Sequence, residues 1–566
     1  MGIGLDARYT YEMDEEERTL TIEKNENYVE GFWPEGITSV TALVGENGTG
    51  KTTFLETMLA VLSGGNGAGF MNVMVVYEDG KNKLRAYKPN KDYKILFEGK
   101  PVEENKLAPK VPNVTPFYYS SAFRPYSNIH TPGDGALGSA YNATDTWRLV
   151  QDLREYANVK AKNKEATLED YFDAYKAQDN SRIVQLICDK EMRRLLPRIS
   201  LPKYVLISPN VSGYKREQAS RYRLYVGPNS TTFGQGDKKA WFMDRIIDNI
   251  LTNIMSETSK KARDIIESVR DKWELMFDGT CDIIESLEYI KQHTPSFKEH
   301  IEDTERVVEF LMESCIYNED ADTMYIDIEA PENERKVQKL IELYQGADFK
   351  VASYFDMQYS RDIYGRTQLS AGELDMLKLC SRLYDAVILQ QKQRGVESPR
   401  LILIDEAENS YHPEWQRQFV HMFVNFVHAL YEKIEQKKEF QIVLTTHSPI
   451  LLSDIPRMCI NYLERDKDGK VILSAKQPET FGANVFDLYR NAFFMHEGMI
   501  GSYASERLTK LQKSIKAGKK RESLLPEIDL IGDERIKDYM IALLEKREQQ
   551  RKRAKFNRQL RNIRRK

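Results

Sequence analysis

Short apolar runs alternate with helical stretches towards both ends of this chain, while its middle follows a helical pattern. Ile37–Val44, Val114–Ser121, Leu401–Ile404 and Phe440–Thr445 are short and apolar, the signature of buried strands. Phe54, Leu55, Met58, Leu59 and Leu62 recur at helical spacing, so the first of these strands runs through a glycine-rich turn into a helix. Ala7–Met13 and Thr19–Glu23 read as entry strands around an acidic turn, and Val73–Glu78, Leu84–Lys88 and Lys94–Glu98 as an antiparallel meander. A helix after Ser370 leads to strand Leu401–Ile404, and a helix over Trp415–Lys437 leads to Phe440–Thr445. A hairpin, Met458–Leu463 with Lys470–Leu473 around Asp468-Gly469, precedes a helical C-terminus.

Between 145 and 351 the pattern is mainly helical. Ile246, Ile247, Ile250, Leu251 and Ile254 mark one helix face within Trp241–Met255; Ile265, Ile266, Val269, Trp273 and Met276 mark another within Lys261–Phe277. Pro197, Pro202, Pro209, Pro228 and Pro295 interrupt the stretch, which rules against one long coiled-coil arm. The expected architecture is α/β: a mixed sheet with an antiparallel β lobe in two halves, 1–144 and 352–480. A helical insertion at 145–351 separates the halves, and a helical region, 481–566, ends in a basic tail.

Composition narrows the class. A chain of 566 residues exceeds a single ordinary core, and 41% hydrophobic with 30% charged residues describes a soluble globular protein. No run of 18 apolar residues is present to span a bilayer, and the acidic N-terminus lacks a secretory apolar segment. The five scattered cysteines fit a reducing cytoplasm rather than a disulfide or zinc framework. Charge is uneven: eleven Lys and Arg face one acid, Glu548, between Lys546 and Lys566 in a chain of net charge −4. Such a tail is either an arm for nucleic acid or an acidic partner, or a solvated helix end.

Gly45-Glu46-Asn47-Gly48-Thr49-Gly50-Lys51-Thr52 is a G-x-x-x-x-G-K-[ST] loop between a strand and a helix. Its glycines let consecutive N–H groups turn inward around an anion, and the free N–H groups of the following helix, from Thr53 onward, face the same anion. Lys51 is expected to reach the β- and γ-phosphates and Thr52 to hold Mg²⁺. Asp405 and Glu406 end an apolar strand, where Asp405 would hold Mg²⁺ and Glu406 would activate the attacking water. His447, at the end of the next strand in Thr445-Thr446-His447-Ser448-Pro449, is placed to bond a γ-phosphate and that water. Ser370 and Glu373 in Leu369-Ser370-Ala371-Gly372-Glu373 form a capping box. Gly372 costs the helix stability unless its backbone must approach something closely, so a phosphate bound in trans is the expected use. Tyr28, Phe32 and Trp33 are candidates for a base-stacking aromatic, with core burial the commoner fate.

In this order the motifs resemble the ABC-type ATPase heads of SMC-related and bacterial defence ATPases. The segments IDEAENSYHPEWQRQF, TTHSPILLSDIP and FGANVFDLYRNAFF are similar to the ATPase subunits of anti-phage systems such as Septu and some retrons. The resemblance covers about residues 30 to 125 and 350 to 545. It implies an ABC-type head that binds ATP and Mg²⁺ through Gly45, Glu46, Asn47, Gly48, Thr49, Gly50, Lys51, Thr52 and Thr53, with metal at Thr52 and Asp405. Ser370, Gly372 and Glu373 would contact ATP in trans within a homodimer or larger assembly, Lys51, Glu406 and His447 would serve catalysis, and a separate effector such as a nuclease would be gated. Nucleic acid would be met through 546–566 or the insertion, with no membrane involved. No glutamine lies between Ser120 and Asn128, where the family has its glutamine loop, and no acidic nuclease cluster follows Pro449. A DEAE-type helicase, a transporter ATPase, an SMC-like DNA-repair ATPase and a non-catalytic nucleotide switch are the alternatives.

Overall fold

The computed structural model describes residues 2–62, 73–78, 83–87, 92–104, 115–122, 140–149, 151–152, 168–196, 201–209, 239, 242, 291–292, 298–345, 355–366, 369–391, 398–475, 477–492 and 500–564. The helix faces expected within 241–255 and 261–277, and the 123–128 segment, lie outside them. Two compact units are present, Met1–Phe493 and Phe494–Lys566.

The first unit opens with β1 (Tyr9–Asp14), β2 (Thr19–Lys24), β3 (Ile37–Gly45) and helix α1 (Lys51–Leu62), followed by β4 (Val75–Glu78), β5 (Leu84–Tyr87), β6 (Lys94–Phe97), β7 (Lys100–Pro101), β8 (Glu103–Glu104), β9 (Pro116–Ser120) and β10 (Tyr141–Asn142). Helices α2 (Leu168–Cys188) and α3 (Lys190–Leu195) lead to β11 (Tyr204–Pro209). Next come α4 (Lys298–Ser314), β12 (Ile316–Asn318), β13 (Thr323–Asp327), α5 (Glu334–Gln345) and β14 (Phe355–Ser360). The second half holds α6 (Ala371–Tyr384), β15 (Leu401–Asp405), α7 (Pro413–Lys433), β16 (Phe440–Thr445), α8 (Pro449–Leu452), β17 (Ile460–Arg465), β18 (Val471–Leu473) and α9 (Val485–Ala492).

One seven-stranded sheet, in the order β10-β9-β15-β16-β3-β17-β18, organises this unit. All its pairings are parallel except β17 with β18. Period-two alternation sends neighbouring residues to opposite faces. Leu43, Tyr118, Leu401, Leu403 and Val443 meet Leu55, Leu59 and Leu62 of α1 on one side. Ala42, Val44, Phe117, Tyr119, Ile402, Ile404, Ile442 and Leu444 meet α6 and α7 on the other. Because both faces are covered, these strands read as unbroken apolar runs, and each fully buried Leu, Ile or Val contributes roughly 1.5–3 kcal/mol.

The β lobe departs from the antiparallel expectation. Its sheets β1-β2-β6-β7 and β4-β5-β8 share a small core of Ile22, Ala86 and Ile95. Adjacent hairpins are antiparallel, but β2 pairs β6, and β5 pairs β8, in parallel. Between β2 and β6 the chain makes the whole β3–α1 excursion, and a crossover of that length permits parallel pairing. The helices of 145–351 are joined by an antiparallel sheet, β12-β13-β11-β14, whose first three strands lie in that range and whose β14 lies just beyond it, which helical periodicity did not announce. No helix among the described residues is long and apolar enough to cross a membrane.

A buried ionic network ties α2 to α6. Arg382 is fully buried and bonds Asp179 Oδ2 at 2.5 Å, Asp145 Oδ1 at 2.6 Å and the Ala143 carbonyl at 2.6 Å. Arg182 bonds Asp152 at 2.6 Å and Asp385 at 3.3 Å, where α6 passes into a π-helical turn, Asp385–Leu389. Burial pushes the Asp179 carboxyl up, but Arg382 together with Arg182 and Lys378 outweighs it and holds the group at about 2. Removing one member strands a buried charge, at a cost of about 3–5 kcal/mol. Arg382→Leu is therefore expected to lower the unfolding free energy by about that much, read by denaturant titration; a change within the scatter of surface variants would show that the network carries no net stability.

Candidate functional site

The parallel register sets the C-terminal ends of β9, β15, β16 and β3 side by side. Ser120 faces Asp405, Asp405 faces Thr445, and Thr445 faces Leu43 two residues before Gly45. Ligands gather at such strand ends in open α/β sheets, and here all three sequence motifs of the phosphate loop, the acidic strand and the histidine arrive together.

At the phosphate loop Gly48 and Gly50 take φ of 78° and 82°, the left-handed region that a side chain resists. Gly45 is required for another reason: a Cβ there would lie 2.4 Å from the Leu463 carbonyl of β17. Thr49 is buried and donates its hydroxyl to the Glu46 carbonyl at 2.8 Å, closing the loop, while Glu46, Asn47 and Thr53 are exposed around it. Lys51 is buried, and its ammonium donates to the carbonyls of Gly45 at 3.0 Å and Glu46 at 3.2 Å. Burial lowers its pKa, opposed by the charges of Glu406, Asp405 and Glu408. The lysine head group thus rests on two loop carbonyls within the field of three acids.

Asp405 is fully buried and accepts from Thr445 Oγ1 at 2.7 Å and from Thr52 Oγ1 at 3.0 and 3.1 Å. A hydroxyl and a carboxylate in contact are hard oxygen donors, the set Mg²⁺ takes when phosphates and water complete its shell. Among the described residues no group of three or more His, Cys, Asp or Glu side chains forms a cage by itself.

Glu406 sits at φ 50° and ψ 43°, a left-handed conformation uncommon for a residue with a side chain. Its amide donates to Thr445 Oγ1 at 3.1 Å and Ser121 Oγ donates to its carbonyl at 3.2 Å, so neighbouring strands hold the strained turn. Its carboxylate lies 3.2 Å from His447 Nε2 and accepts from Asn409 Nδ2 at 2.9 Å. The His447 bond, then that of Asn409, draws the carboxyl down to about 2 against the opposing effect of burial. Glu408, two residues on, is buried and accepts from the Thr446 hydroxyl and from the His447 amide at 3.1 Å. Burial raises its pKa. Glu408 thus fixes the segment that carries His447.

The Ser370 helix is positioned differently. The capping box is present: Glu373 N donates to Ser370 Oγ, and Ser370 N to Glu373 Oε2 at 2.7 Å. Glu373 is buried and also paired with Arg361. Gly372 is buried, and a Cβ there would meet the Ser410 carbonyl at 2.6 Å and the Trp415 ring at 3.5 Å. The close approach expected of Gly372 is thus made to the loop after Glu406 in its own chain, a use the sequence reading did not foresee. Of the three signature residues Ser370 alone is exposed. Phe32 packs edge-on against Trp33 and Phe481, and Tyr28 and Trp33 lie against the main core, so this aromatic group serves packing.

Sequence reasoning missed Asn409, Glu408, Thr445 and Arg465. Thr445 and Glu408 stand inside quoted motifs and could have been named from them. Arg465 of β17 donates to the Gly48 and Gly469 carbonyls, bracing the phosphate loop from the side; no sequence signal marks it. The family model described as AAA ATPase domain, AAA_15, matches residues 19–452, more than half of the chain and all of this site but Arg465.

Because folding depresses the Glu406 carboxyl, its stabilisation is complete above the unfolded value of ~4.3 and is lost as the pH falls toward about 2. The stability difference between the native chain and Glu406→Gln is expected to shrink between about pH 5 and about pH 3, read by urea unfolding. A difference that stays constant over that range would show that His447 and Asn409 do not hold the charge.

Proposed function

The chain belongs to the AAA ATPase domain family, and from that premise we propose that it binds ATP at the Gly45–Thr52 loop and hydrolyses it slowly. The observation that carries this reading is the convergence of Lys51, Thr52, Asp405, Glu406 and His447 at adjacent strand ends. Inward N–H groups and Lys51 bind the triphosphate, Thr52 and Asp405 would hold Mg²⁺, and the Thr445 hydroxyl orients Asp405. When bound, Mg²⁺ would neutralise phosphate charge there. Glu406 orients and deprotonates water, and His447 holds its carboxylate and bonds the γ-phosphate.

A carboxyl held at about 2 is a weak base, which supports slow turnover in this arrangement and keeps a nucleotide-operated switch as a second reading. The exposed Ser370 at the N-terminus of the 14-residue α6 supports a second proposal, that two copies close around ATP with each Ser370 contacting the partner's γ-phosphate. The likeness of Ile404–Phe419, Thr445–Pro456 and Phe481–Phe494 to anti-phage ATPase subunits supports a defence role in which nucleotide state gates a separate effector, within the cytoplasm.

Lys51→Ala is expected to lose ATP binding, measured by titration with a fluorescent ATP analogue, and Glu406→Gln to bind normally but turn over at least about 100-fold more slowly. Native turnover in either variant would overturn the assigned site. With saturating ATP, Glu406→Gln is expected to double in mass by light scattering and Glu406→Gln with Ser370→Arg to remain single; a monomeric Glu406→Gln chain would end the trans arrangement while leaving ATP binding intact.

A further inference from the structure

The second unit packs α10 (Ser502–Lys516), α11 (Arg521–Asp529) and α12 (Glu534–Ile563) around Leu511, Ile515, Leu524, Ile528, Met540 and Leu544. Contacts along α12 end with Arg521–Glu548 at 3.2 Å and with Arg551 donating to the Gly518 carbonyl at 3.0 Å. From Lys552 to Arg564 every residue is exposed. This segment holds Lys552, Arg553, Lys555, Arg558, Arg561 and Arg564 and no acid. We propose that this segment of α12 is a DNA-binding helix that seats in the major groove of a duplex.

Two features of the helix decide the ligand. At about 100° per residue, the six cations point to all sides of the axis rather than along one stripe. Phe556, Leu560 and Ile563, exposed by 61%, 39% and 70%, share one line by their i, i+4, i+7 spacing. That line lies about 150° around the axis from Met540 and Leu544, so it is a separate face and not a continuation of the bundle core.

Four of the cations, Lys552, Arg553, Lys555 and Arg564, lie within about 110° of the apolar line on its two sides and call for negative charge on both. The B-form major groove, about 12 Å wide, admits an α-helix between two walls of phosphate, with base edges and thymine methyl groups on its floor. The apolar line faces that floor, and the cations to either side reach the walls. The deep, narrow major groove of A-form RNA admits no such element. A protein groove with an acidic rim would engage the apolar line and its flanking Lys552 and Arg553 but leave Lys555 unmatched. A bilayer surface calls for a broad apolar face, and this one is three residues wide. A second copy of the segment is repelled by its own charge. The segment's length, about 20 Å at 1.5 Å per residue, spans roughly six base pairs at 3.4 Å each.

The test is fluorescence anisotropy of the full chain with a labelled 20-base-pair duplex over a salt series, without nucleotide, so that the result does not depend on the ATPase reading; Lys51→Ala should bind as the native chain does. Changing all six cations to Gln is expected to weaken binding and reduce the log–log salt slope by about 4, from roughly 0.9 for each of the four cations at the groove walls. Replacing Phe556, Leu560 and Ile563 by Ala is expected to keep the slope and weaken binding by about tenfold, the scale of one lost base contact. Equal affinity and slope in the six-Gln chain, or native binding to duplex RNA or to phosphatidylserine vesicles as tight as to duplex DNA, would overturn the proposal.

Discussion

The structure depends on how the side chain of Asp405 is given hydrogen-bond donors inside the protein. A fully buried carboxylate without donors would be strongly unfavourable, and its donors come from far away in sequence. Thr445 lies one strand over, and Thr52 lies in the helix that follows the phosphate loop. Both reach Asp405 only if β16 lies between β15 and β3 in the observed register, because a one-residue slip would turn Thr445 to the opposite face. The same register brings Lys51 within the field of Asp405, Glu406 and Glu408. Strand order, register and charge balance are therefore one constraint.

That constraint extends to the residue that follows. Glu406 can remain left-handed because its amide and carbonyl are bonded by Thr445 and Ser121 from the strands on either side, so the strain of that conformation is held by the sheet. The turn continues to Ser410, whose carbonyl closes on Gly372. The first turn of α6, which displays Ser370, consequently rests on the loop that displays Glu406. A shift of either side chain is transmitted through backbone contact with no flexible side chain between to absorb it.

The legible parts of this architecture are those where one residue type has one physical use. Both faces of the central sheet are covered, so Leu401–Ile404 and Phe440–Thr445 announce themselves as apolar runs, and β15 and β16 occupy those positions. The phosphate loop is legible because glycine at positive φ has few substitutes. The parallel pairing of β2 with β6 was hidden, since hairpin signals report only neighbours in sequence. The β11–β14 sheet was hidden for a similar reason: its strands are short and gathered from 204 to 360. Arg382 and Asp179 look in sequence like the solvated face of a helix, and only packing shows them to be interior. Gly372 was read as an opening for a ligand because a carbonyl from a loop forty residues later leaves no trace in local pattern.

The buried ion network adds a mechanical consequence. Charges at full burial are stable only with every partner in place, because each lost bond exposes the full desolvation cost of the other. Arg382 and Lys378 on α6 share Asp145, and Arg382 and Arg182 share Asp179 on α2. Apolar packing between these helices could slide by a fraction of an ångström at modest cost, whereas this set of bonds has one low-energy arrangement. The helix that carries Ser370 is thus bound to α2 as one body, and to the Glu406 loop through Gly372. Displacement of α2 is thus carried to α6 as a whole, and from α6 to the loop that displays Glu406.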